Sequence, residues 1–133
     1  MTHRYLLDTN AVSDIMRRPT GSVAQTAAAH AGACVTSVVV LAELRYGIAK
    51  KKSVRLADAL DRVLVALPVL SFTSDAVNDY AAIRTGLGDG GEPIGPLDTL
   101  IAAHALSEGL TVVTNNTKEF GRVPNLLIED WSA

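Results

Sequence analysis

The chain has 133 residues, of which 48% are hydrophobic and 20% are charged, and its formal net charge is −2 at pH 7. This length and composition predict one globular domain that spans residues 1–133. The charge balance excludes a strongly basic nucleic-acid coat protein, and the apolar runs are too short to span a membrane. The N-terminus lacks the features of a signal peptide and Cys34 has no partner for an internal disulfide, so we expect a cytoplasmic protein.

Short apolar runs alternate with helix-like segments along the chain. Runs rich in branched or aromatic residues predict strands at 5–8, 33–37, 67–72, 110–114 and, more weakly, 126–128. Helical spacing of apolar residues predicts helices at 23–31, 38–49, 54–66, 74–87 and 97–107. This alternation is typical of an α/β fold. It predicts a three-layer α/β/α sandwich around a parallel sheet of four to five strands.

Carboxylates and amides occur where the predicted strands end. Asp8 closes the first strand, and Asn115 and Asn116 follow the fourth. Asp98 lies at the start of a predicted helix, and Glu43 lies one to two turns into the helix that follows the second strand. Because ligands of open parallel sheets bind outside the carboxyl ends of the strands, these residues are candidates for one site.

Each of the three carboxylates also has a purely structural interpretation. Asp8 could cap the next helix, and Asp98 could interact favourably with a helix dipole. Glu43 could face solvent, although it is the only charged residue between Cys34 and Leu44. Together, three carboxylates at one sheet edge would repel one another unless a cation held them. An all-oxygen set without a Cys/His cluster favours Mg²⁺ or Mn²⁺ over Zn²⁺.

Other catalytic schemes lack their motifs. The sequence contains no Gly-x-Ser-x-Gly elbow, no phosphate-binding Gly-x-x-x-x-Gly-Lys loop and no plausible Cys–His pair. His104 lies six residues after Asp98 on the same predicted helix, a poor match to the helical period. We therefore interpret His104 as a structural residue that points away from the site.

Four segments resemble the PIN-domain ribonucleases, in particular the VapC toxins of type II toxin–antitoxin pairs. They are Leu-Leu-Asp-Thr-Asn at 6–10, Ser-Val-Val-Val-Leu-Ala-Glu-Leu-Arg-Tyr-Gly at 37–47, Gly-Pro-Leu-Asp-Thr-Leu-Ile-Ala-Ala-His-Ala at 95–105 and Val-Thr-Asn-Asn-Thr-Lys-Glu-Phe at 113–120. A terminal Glu-Asp-Trp at 129–131 adds to them. The resemblance covers nearly the whole chain and implies a PIN-like sandwich with an endoribonuclease site that depends on Mg²⁺ or Mn²⁺.

The resemblance also implies roles for individual residues. Asp8, Glu43 and Asp98 match the three shared acidic residues that bind the metal, which would activate a water for attack on a phosphodiester. Many relatives have an Asp where this chain has Asn116, so the fourth catalytic position carries an amide and no charge. Glu119 could supply the missing carboxylate. The number of metals, one or two, therefore stays open.

Further residues are expected to support this site or to contact RNA. Asn10 and Thr114 are interpreted as groups that orient the carboxylates or metal-bound waters, with Asn115 close by. The segment at 114–120 is similar to that of a subgroup associated with structured RNA, tRNA in particular. Candidate RNA-binding residues, which could equally be solvated helix ends, are Arg17, Arg18, Arg45, Lys50, Lys51 and Arg84.

The resemblance implies partners as well. VapC-like proteins form homodimers and are inhibited by a VapB-like antitoxin whose C-terminal segment covers the active site; operator DNA is contacted only through the antitoxin. Two alternatives remain at this point: a PIN-like interaction module that has lost catalysis, and a receiver-like Mg²⁺-binding phosphoacceptor domain. The receiver alternative would need an Asp at the end of the third predicted strand, and none is present there.

Overall fold

The computed structural model describes residues 2–132 and contains a five-stranded parallel sheet. Its strands are β1 (Tyr5–Leu7), β2 (Cys34–Ser37), β3 (Val69–Leu70), β4 (Thr111–Val113) and β5 (Ile128–Glu129). They are ordered β3-β2-β1-β4-β5, so β1 is central and pairs in parallel with both β2 and β4. The predicted parallel sheet is confirmed.

Seven helices flank this sheet within the described residues, as the predicted α/β sandwich requires. They are α1 (Thr9–Arg17), α2 (Ser22–Ala29), α3 (Val38–Lys51), α4 (Val54–Leu64), α5 (Ser74–Asp89), α6 (Pro96–Glu108) and α7 (Thr117–Phe120). The periodicity predicted neither α1 nor α7; α7 has only four residues and is barely longer than one turn. Between residues 2 and 132, no helix is both long and apolar enough to cross a bilayer.

The central strand is buried along its whole length. Tyr5, Leu6 and Leu7 all belong to the core, which explains why their segment is a continuous apolar run without alternating polar residues. The strands are shorter than predicted, most clearly at β3, which contains only two residues of the predicted 67–72. The fold is therefore a small sheet held between helices.

Polar residues begin directly where the three central strands end. Asp8 follows β1 and caps α1, Ser37 ends β2 and caps α3, and Thr114 follows β4. Because β2, β1 and β4 are neighbours in register, their carboxyl ends lie side by side. Short strands thus place three polar side chains at one edge of the sheet.

His104 is fully buried in α6 and is hydrogen-bonded to Ser37. Its Nδ1 lies 2.7 Å from the Ser37 Oγ, which also accepts a hydrogen bond from the Val39 amide. Its ring packs edge-on against Phe72. Burial lowers the pKa of His104 and favours the neutral ring. The residue joins α6 to the start of α3, the two helices that carry Asp98 and Glu43.

Replacing Ser37 should therefore cost more than the loss of a helix cap. Ser53 caps α4 in the same way, through a hydrogen bond from the Leu56 amide. We expect Ser53→Ala to lower the free energy of unfolding by about 1 kcal/mol. Ser37→Ala should lower it by about 2–3 kcal/mol, because the buried His104 nitrogen also loses its partner. Urea unfolding of both variants measures the difference, and equal losses would contradict this role of His104.

Candidate active site

Asp8 is both a helix cap and a buried acid. Its Oδ1 accepts a hydrogen bond from the Ala11 amide at 2.8 Å, and the side chain is almost fully buried. Burial raises its pKa, and the negative charge of Glu43 adds to this, while hydrogen bonds from Thr114 and from backbone amides act in the opposite direction. The capping interpretation and the site interpretation are therefore compatible for Asp8.

Glu43 reaches the same edge of the sheet from α3. Its Oε1 accepts a hydrogen bond from the Thr9 hydroxyl at 2.7 Å, and the residue is half-buried. Thr9 follows Asp8 directly, so one turn of chain positions two carboxylates. Sequence reasoning did not single out Thr9. Its position next to Asp8 could have indicated a role at the site. The hydrogen-bond partner of Thr9, however, is Glu43 on a helix 34 residues further along the chain.

Asp98 is the most strongly perturbed acid of the group. Burial, followed by the charges of Glu119, Glu43 and Asp8, raises the pKa of Asp98 from 3.8 to about 6. The Asp98 and Glu119 carboxyl groups also interact as a hydrogen-bonded pair, which favours the protonated form. Four carboxylates from four different elements or turns thus influence one another at this edge.

Glu119 is held in place by the residue at the fourth position. The side-chain Nδ2 of Asn116 donates to the Glu119 Oε2 at 2.6 Å, and the backbone N–H of Asn116 donates to the Thr114 hydroxyl oxygen at 2.9 Å. The short helix α7 is what brings Glu119 back towards Asp98. Asn116 therefore orients the carboxylate of Glu119 in this structure, whereas many relatives have the carboxylate of an Asp at the position of Asn116 itself.

Asn10 and Asn115 lie at the rim of this edge and are exposed. The Asn10 Nδ2 donates to the Asn115 Oδ1 at 3.2 Å. Asn10 was interpreted as a residue that orients a carboxylate or a metal-bound water; its side chain bonds to Asn115, and it is Thr9 that bonds to Glu43. Thr114, interpreted in the same way, does hydrogen-bond to Asp8.

The chemistry of these donors fits a hard divalent cation. Among residues 2–132, no three His, Cys, Asp or Glu side chains are close enough to form a ready-made metal site. The carboxylates are nevertheless near enough for Asp8, Glu43 and Glu119 to raise the pKa of Asp98. Like charges separate when nothing neutralises them, and a cation with oxygen ligands would draw them together. Asp8, Asp98, Glu43 and Glu119 are the residues that could hold it.

The candidate RNA-binding residues divide into three groups. Several are already engaged elsewhere: Arg18 pairs with Asp14 at 2.7 Å, Arg45 pairs with Asp61 at 3.2 Å, and Arg84 donates to the Tyr80 hydroxyl. Lys50 is exposed at the end of α3. Arg17 and Lys51 instead line a groove that Glu43 also lines.

Because the pKa of Asp98 is raised, we expect the thermal stability of the metal-free protein to depend on the ionisation of this residue. Above about pH 6 the folded protein carries an ionised Asp98 that it disfavours, whereas the unfolded chain ionises freely from about pH 4. Asp98→Asn should therefore raise Tm by a few degrees at pH 7.5 in EDTA, after allowance for solvent screening of a partly exposed group. The gain should shrink as the pH falls from 6 towards 4.

Thermal melts of both proteins across this pH range measure the effect. Adding Mg²⁺ should raise the Tm of the wild type and change that of Asp98→Asn much less. A variant that is less stable at pH 7.5, or a gain that grows on acidification, would contradict the arrangement of charges.

Comparison with known proteins identifies the family. The PIN domain family profile matches residues 5–126. Ribonuclease VapC2 of Rickettsia felis is 46% identical over 71% of this chain and 72% of its own length. The tRNA(fMet)-specific endonuclease VapC of Shigella flexneri is 37% identical over 97% of this chain and 98% of its own length.

A solved structure agrees with these relatives. The VapBC2 complex of Rickettsia felis, bound to a DNA fragment from its promoter, contains a chain that superposes with a TM-score of 0.91. That chain is 38% identical, and the match covers 96% of this chain and 98% of that one. The chain described here belongs to the PIN-domain family, within its VapC group of ribonucleases.

Proposed function

We propose that this protein is the toxin of a type II toxin–antitoxin pair and that it cleaves RNA as a Mg²⁺- or Mn²⁺-dependent endoribonuclease. The observation that carries the proposal is the gathering of Asp8, Glu43, Asp98 and Glu119 at the carboxyl edge of the sheet, where the other three lie close enough to act on the pKa of Asp98. Repulsion within such a cluster of carboxylates destabilises the folded protein unless a bound cation neutralises their charge. Nuclease chemistry on a phosphodiester is a use for that cation.

When bound, the cation supplies an activated water and stabilises negative charge on the phosphate. The protein's own residues orient the carboxylates that would hold it. Thr9 holds Glu43, Thr114 holds Asp8, and Asn116 holds Glu119 next to Asp98. In this assignment Asp8 and Asp98 are the principal ligands, Glu43 binds directly or through water, and Glu119 provides the fourth carboxylate.

We infer that the substrate is tRNA. The Shigella flexneri relative, which is similar over nearly the full length, is named for cleavage of tRNA(fMet). RNA of this kind presents unpaired loop nucleotides whose backbone is open to attack. A cytoplasmic location follows from this substrate.

The proposed inhibitor is a VapB-like antitoxin bound in an apolar groove between α1, α2 and α4. Two adjoining cavities of about 260 and 250 Å³ share Ile15, Pro19, Arg62 and Val63. The small side chains of α2, such as Ala24 and Ala28, form one wall. An amphipathic helix of the antitoxin would bury its apolar face there. Homodimerisation, and contact with operator DNA only through the antitoxin, complete the proposal.

Cleavage should require the three shared carboxylates. Asp8→Asn, Glu43→Gln and Asp98→Asn should each reduce the rate of tRNA cleavage in Mg²⁺ by at least about 100-fold. Asn is as good a helix cap as Asp, so Asp8→Asn should stay folded. Glu119→Gln should have a smaller effect, about tenfold, and should raise the Mg²⁺ concentration needed for half-maximal rate.

Glu108→Gln is the matched control, because Glu108 lies at the opposite end of α6 from Asp98 and is exposed. It should cleave like the wild type. Wild-type rates for Asp98→Asn, or full activity in excess EDTA, would refute the proposed mechanism. Absence of RNA cleavage by the wild type would instead favour the idle interaction module.

A bulky charge in the α2 wall should separate inhibition from catalysis. Ala28 lines the apolar groove, while its neighbour Ala29 is equally exposed and does not line it. Ala28→Arg should weaken binding of the cognate antitoxin at least about tenfold and leave RNA cleavage unchanged. Ala29→Arg should bind normally. Calorimetric titration of the antitoxin measures this, and equal affinities for both variants would place the antitoxin elsewhere.

A further inference from the structure

A second groove, between α1 and α3, opens beside the carboxylates. It encloses about 140 Å³, and Glu43 is part of its lining. Its floor is apolar and includes Met16 and Leu44, while Arg17 and Lys51 also line it. The groove therefore combines an apolar surface with positive charge next to the candidate catalytic edge.

Gly47 is the least expected residue of this groove. It lies inside α3, where glycine is among the most unfavourable residues. Nothing local requires it: its φ is not positive, and a Cβ at this position would meet no atom within 4 Å. What the missing side chain provides is open space in the groove that Gly47 lines. The glycine thus indicates, independently of charge, that this space is kept free.

The two cations of the groove are free to bind an anion. Arg17 and Lys51 stand in the last turns of α1 and α3. Neither has an ion-pair partner in the part of the chain that the structure describes, in contrast to Arg18 and Arg45. A ligand that suits this groove has a flat apolar portion and a negative charge beside it. An unstacked RNA nucleotide has both.

We propose that this groove binds one nucleotide of the RNA substrate next to the cleaved bond. Its base lies on the apolar floor over Gly47, and its phosphate lies between Arg17 and Lys51. Proteins commonly hold unpaired bases on apolar or aromatic surfaces beside cations that track the backbone. This inference rests on the proposed ribonuclease function and adds a binding subsite to it.

Substitutions at Gly47 test the open space. Binding is measured by fluorescence anisotropy with a fluorescein-labelled stem–loop RNA, in an Asp98→Asn background that leaves the RNA intact. Gly47→Ala should bind like its parent and melt at a higher temperature, because alanine favours the helix. Gly47→Phe should bind about tenfold more weakly, because the ring occupies the floor. Equal affinities for Gly47→Ala and Gly47→Phe would overturn the proposal.

A thermal melt of each variant shows whether it is folded. If the aromatic side chain destabilises the protein, Gly47→Leu gives the same comparison with a strong helix former. Its affinity for the RNA should again be lower than that of Gly47→Ala.

Lys51 and Lys50 form a matched pair for the charge. Both are exposed in the last turn of α3, but only Lys51 lines the groove. Lys51→Ala should reduce the slope of log affinity against log salt by about 0.7, as expected for one lost phosphate contact on a single strand. Lys50→Ala should leave the slope nearly unchanged. Identical slopes would show that Lys51 is only a solvated helix end and would overturn the phosphate assignment.

Cleavage of the same RNA by the protein with an intact Asp98, measured in parallel, separates this inference from the proposed function. If that protein cleaves RNA while the Gly47 and Lys51 variants bind normally, the groove assignment is wrong and the function stands. If it does not cleave RNA and Gly47→Phe still weakens binding, the groove binds RNA but the proposed function is wrong, and with it the placement of the nucleotide next to a cleaved bond. If Gly47→Phe weakens only antitoxin binding, the groove serves a protein and the inference is overturned.

Discussion

Repulsion between carboxylates at the end of a small parallel sheet is the constraint around which this molecule is organised. Asp8, Glu43, Asp98 and Glu119 come from separate parts of the chain, and burial together with the charges of the other three raises the pKa of Asp98 well above its usual range. Each is restrained by a neighbour that can donate a hydrogen bond or, for Asp98, by a helix N-terminus. The fold supplies these restraints, and a cation would supply the missing charge.

The short strands explain how the restraints are built. Each central strand stops after three or four residues. A polar residue then begins or caps the segment that follows; it is either the last residue of the strand or the one directly after it. Asp8 therefore serves one helix as a cap with one oxygen while its carboxylate faces the site. Ser37 caps α3 and also bonds to His104, which connects the two helices that present Glu43 and Asp98. Folding and site geometry depend on the same few side chains.

Much of this could be predicted from the sequence, because local patterns carry it. Apolar runs that end in polar residues gave the sheet and the candidate edge, and an isolated acid in an apolar stretch pointed to Glu43. Pairings over long distances could not be predicted. The bond between Thr9 and Glu43 and the pair of Arg45 with Asp61 both depend on how helices pack.

Two further features were hidden for different reasons. Helix α7 is too short to have a period, so the approach of Glu119 to Asp98 was visible only as a possibility three residues beyond Asn116. Gly47 passed unnoticed because a missing side chain matters only when its surroundings are known. A Cβ at this position would meet no neighbouring atom, so packing within the helix does not require glycine there. Gly47 does line the groove beside Glu43, which its missing side chain leaves open.

We propose that these four carboxylates together hold a divalent cation. Titration of the metal-free protein with Mn²⁺, followed by electron paramagnetic resonance, tests this without any RNA. We expect saturable binding to the wild type, loss of that binding in Asp98→Asn, and weaker binding in Glu119→Gln. Equal Mn²⁺ binding by the wild type and Asp98→Asn would contradict it.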